Sequence, residues 1–95
     1  MTKLADPMHP GEVLKTLYLE PLDVTPITLA RRMNVPRTRV ERLVKGQTGM
    51  TPDTALRLAR IFRTTPEYWM AMQTNFEMAT AAARIDLSDV EPFAA

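Results

Sequence analysis

Cysteine is absent from the 95-residue sequence, and histidine and glycine are scarce. The absence of cysteine excludes thiolate catalysis, disulfide bonds and cysteine-ligated zinc. The single histidine, His9, leaves no histidine cluster for a metal, and beside Pro10 and Gly11 it is expected to cap or pack at the start of a helix. Three glycines are too few for a phosphate-binding loop, and no paired carboxylates share a helix face. The sequence therefore predicts neither an enzyme nor a bound metal or other cofactor.

Long apolar segments are also absent. No uninterrupted apolar run approaches the ~20 residues that span a membrane, and the first seven residues contain no apolar stretch long enough for a signal peptide. The length corresponds to one domain, which buries roughly 60–65% of the surface of its unfolded chain. We therefore expect one cytoplasmic domain that makes no contact with a membrane.

Charge is unevenly distributed, although the formal net charge is only +1. Residues 31–63 contain nine basic and two acidic side chains, a net charge of +7, whereas the rest of the chain contains three basic and nine acidic side chains, a net charge of −6. An ordinary solvated helix face would carry more acidic partners. A basic face that attracts a polyanion is therefore the favoured interpretation.

Prolines indicate where the helices begin, because proline fits the first helical turn. Apolar residues at spacings of three and four follow each of five prolines, and three of these prolines come after a threonine that can cap the free N–H groups of the first turn: Thr25, Thr51 and Thr65. The predicted helices span about residues 10–18, 26–33, 36–45, 52–62 and 66–82. The prediction is an all-α fold, with a flexible leader at residues 1–8, a domain at 9–82 and an acidic tail at 83–95.

The first and fifth predicted helices show which side chains are expected to face the core. In the first helix the inward residues are predicted to be Val13, Leu14 and Leu17. In the fifth helix Trp69 and Met72 are expected to face inward, whereas a second apolar face is assigned to contact with a second subunit: Met70, Gln73 and Phe76.

The second and third helices form the most informative unit. A short corner joins them at Asn34, a residue type that tolerates the left-handed backbone of tight helix–helix turns, so the pair predicts a helix-turn-helix. In the third helix Val40 and Leu43 face the core, and the outward face begins with Arg37 and Thr38. Arginine can read guanine and threonine can contact thymine in the major groove of DNA.

Five segments, in this order, resemble the XRE-type (Cro/repressor-like) helix-turn-helix proteins and, among them, the HigA antitoxins of bacterial toxin–antitoxin operons. The segments are His-Pro-Gly-Glu-Val-Leu at 9–14, Leu-Ala-Arg-Arg-Met-Asn-Val at 29–35, Val40 with Leu43 and Gly46, Thr-Pro-Asp-Thr-Ala-Leu-Arg-Leu-Ala at 51–59, and Thr-Pro-Glu-Tyr-Trp at 65–69. The resemblance covers roughly residues 8–80. It implies a five-helix lambda-repressor-like fold.

The resemblance also implies a function and assigns roles to residues. Such antitoxins form homodimers, repress their own operon by binding double-stranded operator DNA, and neutralise a HigB-type toxin that cleaves messenger RNA. The matching positions imply base reading by Arg37, Thr38 and Arg42. They imply phosphate contacts by Thr25, Thr28, Arg39, Lys45, Gln47, Thr48 and Thr51. The chain departs from the usual family residues at Pro26 (glutamine), Asn34 (glycine), Pro36 (serine) and Gln47 (lysine or arginine).

Two other functions remain open at this stage. One is a stand-alone transcriptional regulator without a toxin, which differs from an antitoxin only in what its genomic neighbour encodes. The other is a protein–protein adaptor whose basic face meets an acidic partner, and whose binding would ignore DNA sequence. The helix-turn-helix corner argues against the adaptor.

Overall fold

A computed structural model describes residues 7–94, and over this range the chain is all-helical without strands. Residues 1–6 of the predicted leader and Ala95 of the predicted tail lie outside the described range. We number the helices α1 to α5. Helix α1 consists of three consecutive segments (Pro10–Val13, Leu14–Leu19 and Glu20–Leu22), and the others are α2 (Pro26–Met33), α3 (Arg37–Val44), α4 (Pro52–Phe62) and α5 (Pro66–Arg84). The predicted all-α fold with five helices is confirmed.

Three helices begin with the same cap. The hydroxyl oxygens of Thr25, Thr51 and Thr65 accept hydrogen bonds from the backbone N–H groups three residues later, at 3.2, 3.3 and 3.1 Å. Each threonine is followed by proline at the first helical position, where the missing N–H costs nothing. The predicted helix starts at 26, 52 and 66 are therefore confirmed.

Helix α1 contains a π-helical segment, which makes part of its prediction wrong. In Leu14–Leu19 the backbone bonds join residues five apart, as when the Glu20 N–H donates to the carbonyl of Lys15. Leu14 and Leu19 therefore both point into the core, whereas Leu17, predicted to face inward, is 61% exposed. The helix also continues to Leu22, four residues beyond its predicted end.

The core lies where all five helices meet. Its largest fully buried side chains are Trp69, Leu14, Leu29, Leu43, Leu58 and Val40. Helices α2 and α3 pack against each other, as do α4 and α5. Asn34 adopts the predicted left-handed backbone between α2 and α3, with φ 59° and ψ 47°, and Gly46 follows α3 with φ 72°. The helix-turn-helix is thus built as the sequence predicts.

Helix α5 extends beyond the core. Its first half carries the buried Trp69 and Gln73, but its last turns are mostly exposed and end at Arg84, two residues after the predicted end. Residues 85–94 follow without a helix, and their side chains are exposed. The molecule measures 53 × 25 × 23 Å along its principal axes. None of the helices within residues 7–94 is both long enough and apolar enough to cross a membrane.

Candidate nucleic-acid interface

Helix α3 presents one face to the core and the other to solvent. Val40 and Leu43 are fully buried, because they pack against the rest of the domain, and Arg37, Thr38 and Arg42 are exposed. Within residues 7–94 the structure shows no ion pair for either Arg37 or Arg42. These two guanidinium groups therefore remain available to an external anion or to a base.

An open cleft of about 330 Å³ lies beside this face, between the start of α3, the loop before α4 and the start of α4. It brings together five residues that were predicted to contact DNA, and it also contains one carboxylate, Asp53. The cleft is lined by Pro36, Thr38, Arg39, Arg42, Thr48, Gly49, Thr51, Asp53 and Thr54. Four hydroxyl groups and two guanidinium groups around an open cleft suit a phosphate oxygen.

The third arginine of this helix, Arg39, is not free. Its guanidinium forms an ion pair with Asp53, the second residue of α4. Asp53 also accepts a bond at 3.2 Å from Nε of Arg57, one turn further along α4. Arg57 in turn donates through Nη1 to the carbonyl of Met33, at 2.8 Å. The fold thus brings Arg39 an acidic partner from 14 residues away in the sequence.

These contacts change the acidity of Asp53. Hydrogen bonds from Arg39 and then from Arg57 hold the pKa of the Asp53 carboxyl below its usual value, because both favour the ionised form. The carboxylate is therefore charged throughout the neutral range. Since the folded-state pKa is lowered, the stability that this carboxylate adds is present above the pKa of an unfolded aspartate and is lost as the pH falls through the folded value.

The other residues predicted to contact phosphates are exposed, but they do not form one site. They are Thr25, Thr28, Lys45, Gln47, Thr48 and Thr51. Thr48 and Thr51 line the cleft beside Arg39. Thr25 lies in a second cleft, next to Lys15 and Val44, and Lys45 lies in a third, next to His9.

The prediction for the second-subunit face of α5 needs correction. Gln73 is only 7% exposed, and its side-chain oxygen accepts a 2.6 Å hydrogen bond from the backbone N–H of Met50. Its amide nitrogen donates to Glu77 at 3.0 Å. The loop before α4 thus uses Gln73 as an internal cap, so this side chain is not on an exposed face. Met70 and Phe76 are half-buried within the same chain.

The segment at 9–12 supports the far end of α3. His9 accepts a hydrogen bond at Nδ1 from the backbone N–H of Gly11, at 2.9 Å, so the expectation that His9 caps the first helix is confirmed. Its ring meets the Phe76 ring edge-on, with 5.0 Å between centroids. Gly11 lies against the backbone carbonyl of Leu43 so closely that a Cβ atom would fall 1.7 Å from that oxygen.

The sequence did not identify Asp53 and Arg57 as parts of this interface. In the sequence, Asp53 is one of two acidic residues and Arg57 one of nine basic residues between residues 31 and 63. Their spacing of four residues on one helix is a signal for an ion pair on a shared face. No sequence spacing indicates the link from Asp53 to Arg39, because it depends on how α3 and α4 pack.

Residues 16–69, more than half of the chain, match the helix-turn-helix family HTH_3. The chain belongs to this XRE-type helix-turn-helix family. The family and fold are those of DNA-binding regulators and antitoxins and not of enzymes.

Solved structures and curated relatives show which proteins this helix-turn-helix protein is similar to. It is 37% identical to PA4674 of Pseudomonas aeruginosa in complex with its operator DNA, with 92% of this chain and 97% of that chain covered and a TM-score of 0.87. It is 35% identical to the Pseudomonas aeruginosa antitoxin HigA with the higBA promoter, with 92% and 98% covered and a TM-score of 0.84. An HTH-type transcriptional regulator of Haemophilus influenzae is 36% identical over 85 residues, which are 90% of this chain and 71% of the relative.

Proposed function

We propose that this helix-turn-helix protein is an antitoxin that represses its own operon as a homodimer and neutralises a HigB-type toxin. The observation that carries the DNA-binding part is the outward face of α3, where Arg37, Thr38 and Arg42 are exposed beside an open cleft lined by hydroxyl groups. The likeness to two structures that contain operator or promoter DNA supports it.

In the proposed complex each subunit inserts α3 into the major groove. Two copies read half-sites about 34–36 Å apart, one turn of B-DNA. Arg37, Thr38 and Arg42 contact bases, and exposed hydroxyl, amide and cationic groups hold phosphates: Thr25, Thr28, Arg39, Lys45, Gln47, Thr48 and Thr51. Met70 and Phe76 remain the proposed dimer contacts, since both keep part of their side chains exposed on α5.

The test is a gel shift with the protein's own promoter and a scrambled duplex of equal length. The proposal requires a shift at protein concentrations that leave the scrambled duplex free, and a footprint with two-fold symmetry. Equal affinity for both duplexes would reject sequence-specific repression and favour the adaptor.

Arg37→Ala and Lys45→Ala separate base reading from phosphate binding. We expect Arg37→Ala to cost about 1–3 kcal/mol on the operator and to relax the preference at one base pair. Lys45→Ala should weaken binding to all duplexes alike and reduce the slope of log affinity against log salt by about one unit. Both residues are exposed, so neither change should alter the fold. Equal losses on operator and random DNA for both variants would contradict this division.

Toxin binding is proposed for the acidic tail, where Asp86, Asp89 and Glu91 are exposed, together with Lys15 on α1. A basic ribonuclease would be attracted to these carboxylates. Tyr18, the other candidate on α1, is half-buried and donates a hydrogen bond to the Tyr68 hydroxyl at 2.9 Å.

Deletion of residues 85–95 tests the tail. We expect neutralisation of the co-expressed toxin to weaken while operator binding persists, since residues 85–94 lie outside the helices. Growth rescue and a gel shift measure the two activities. Full rescue by the truncated protein would exclude the tail as the toxin-binding surface.

A stand-alone regulator is the second candidate, because the relative from Haemophilus influenzae is named a transcriptional regulator. A small basic nuclease encoded next to this chain, and held by it in a pull-down, would favour the antitoxin. DNA binding without such a neighbour would favour the regulator.

A further inference from the structure

Asp53 lines the cleft that is proposed to hold a DNA phosphate. It touches α3 through Arg39, and it touches its own helix through Arg57. In the described part of the chain, the only ion pairs are these two. The Asp53 carboxylate lines the same cleft as Arg42, Thr48 and Thr51. It therefore places a negative charge where a phosphate would also bring one.

The two arginines differ in how firmly they are held. Arg57 is fixed at both ends of its guanidinium, because it bonds Asp53 and donates to the carbonyl of Met33 at 2.8 Å. Arg39 is held by Asp53 alone, and the side chains of Arg39 and Asp53 are 41% and 53% exposed. Arg39 can therefore leave the carboxylate without leaving it unpaired, since Arg57 stays.

Carboxylate and phosphate are interchangeable partners for arginine, because both offer anionic oxygens to its planar set of N–H donors. We propose that Asp53 is a resident competitor for Arg39, which contacts a DNA phosphate only after exchanging this carboxylate for it. The inference rests on the proposed DNA-binding function and adds a residue that lowers affinity. Asp53 thus weakens binding to every duplex by keeping one phosphate contact occupied in the free protein.

The lowered pKa of the Asp53 carboxyl supports the exchange and gives it a readout. In the free protein Arg39 is the larger cause of the lowering. On DNA the carboxyl loses Arg39 and gains a neighbouring phosphate, so its pKa should rise relative to the free protein. A carboxylate that only braces α3 against α4 would keep Arg39, and this rise would be small.

The test combines Asp53→Asn with Arg39→Gln and measures affinity for the operator duplex and for a random duplex. Asp53→Asn should raise affinity for both. The part of the gain that comes from freeing Arg39 should be about two- to fivefold, the range that exposed ion pairs represent. That part should vanish when Arg39 is already glutamine.

Glu41→Gln is the matched control. It removes the same charge from the same basic segment, because Glu41 lies on α3 and is the only other acidic residue between residues 31 and 63. The described structure gives Glu41 no ion pair. The gain in affinity from Glu41→Gln comes from long-range charge alone, so it should be the same whether residue 39 is arginine or glutamine.

Three results would overturn the inference: a gain for Asp53→Asn no larger than that for Glu41→Gln, a gain for Asp53→Asn that Arg39→Gln leaves undiminished, or a loss of affinity. A loss from unfolding is recognised by circular dichroism. In that case the titration of the Asp53 carboxyl by NMR, on the unmodified protein with and without DNA, decides alone. Failure of the proposed function looks different, because the unmodified protein would then bind the operator and the random duplex with equal affinity. Every comparison above can still be measured on that random duplex.

Discussion

Trp69→Ala is expected to lower the free energy of unfolding by about 3–5 kcal/mol, the cost of removing a large buried aromatic side chain. Trp69 is fully buried, and three aromatic rings surround it, with centroid distances of 5.1 Å to Tyr18, 6.4 Å to Phe62 and 5.1 Å to Tyr68. These rings come from α1, α4 and α5, so the cavity would open where three helices join. Urea denaturation followed by circular dichroism measures the change.

Trp69→Phe and Thr64→Val separate packing from hydrogen bonding. Indole Nε1 of Trp69 donates to the Thr64 hydroxyl at 2.8 Å. Thr64→Val should cost about 1–3 kcal/mol, since it leaves the indole N–H without its partner. Trp69→Phe should lie between this value and the cost of alanine. If Trp69→Ala lowered the free energy of unfolding by no more than Thr64→Val does, the packing of the aromatic rings would contribute little to stability.

Gly11→Ala is expected to destabilise the protein by about 3 kcal/mol, at the upper end of the usual cost of overpacking. The added Cβ would fall 1.7 Å from the backbone oxygen of Leu43, so one of the two helices must move. Helix propensity alone predicts the opposite, because alanine is better than glycine inside a helix by about 1 kcal/mol. The sign of the change in thermal stability therefore decides whether close approach or propensity controls this position. Since Leu43 lies in α3, operator affinity should fall as well.

Gly46→Ala is the control, because this glycine is needed for its backbone conformation and not for close packing. A Cβ at Gly46 would meet nothing closer than 3.9 Å, but its φ of +72° is strained for alanine. The cost should be about 1–2 kcal/mol, less than at Gly11. A loss of stability for Gly46→Ala that equals or exceeds the loss for Gly11→Ala would show that the contact between α1 and the end of α3 adjusts easily.

Local signals in the sequence predicted the helices well. The threonine–proline pairs indicate helix starts, because a capping hydrogen bond joins residues within four positions of each other. Asn34 indicates the corner, because its tolerance of the left-handed backbone is a property of the residue itself. The error at Leu17 has a different origin. A period of three and four cannot show that α1 shifts by one residue in a π-helical segment, and the burial of Leu19 follows only from that shift.

The interface was predicted less completely, because its remaining features depend on distant partners. Arg37, Thr38 and Arg42 lie outward as expected, since the apolar face of α3 alone fixes their direction. The pairing of Arg39 with Asp53 and the burial of Gln73 beneath Met50 require α3, α4 and α5 to be in place. Because Gln73 lies 23 residues after Met50, no local signal in the sequence indicates that its side chain will cap the loop before α4.

The protruding end of α5 affects how the subunit number must be measured. The radius of gyration is 16.3 Å, whereas a compact chain of this length has roughly 12 Å. An elongated particle diffuses slowly for its mass and elutes early from a gel-filtration column calibrated with spheres. A single subunit would thus give an apparent mass that is too large, so light scattering, which weighs the particle whatever its outline, is the appropriate measurement.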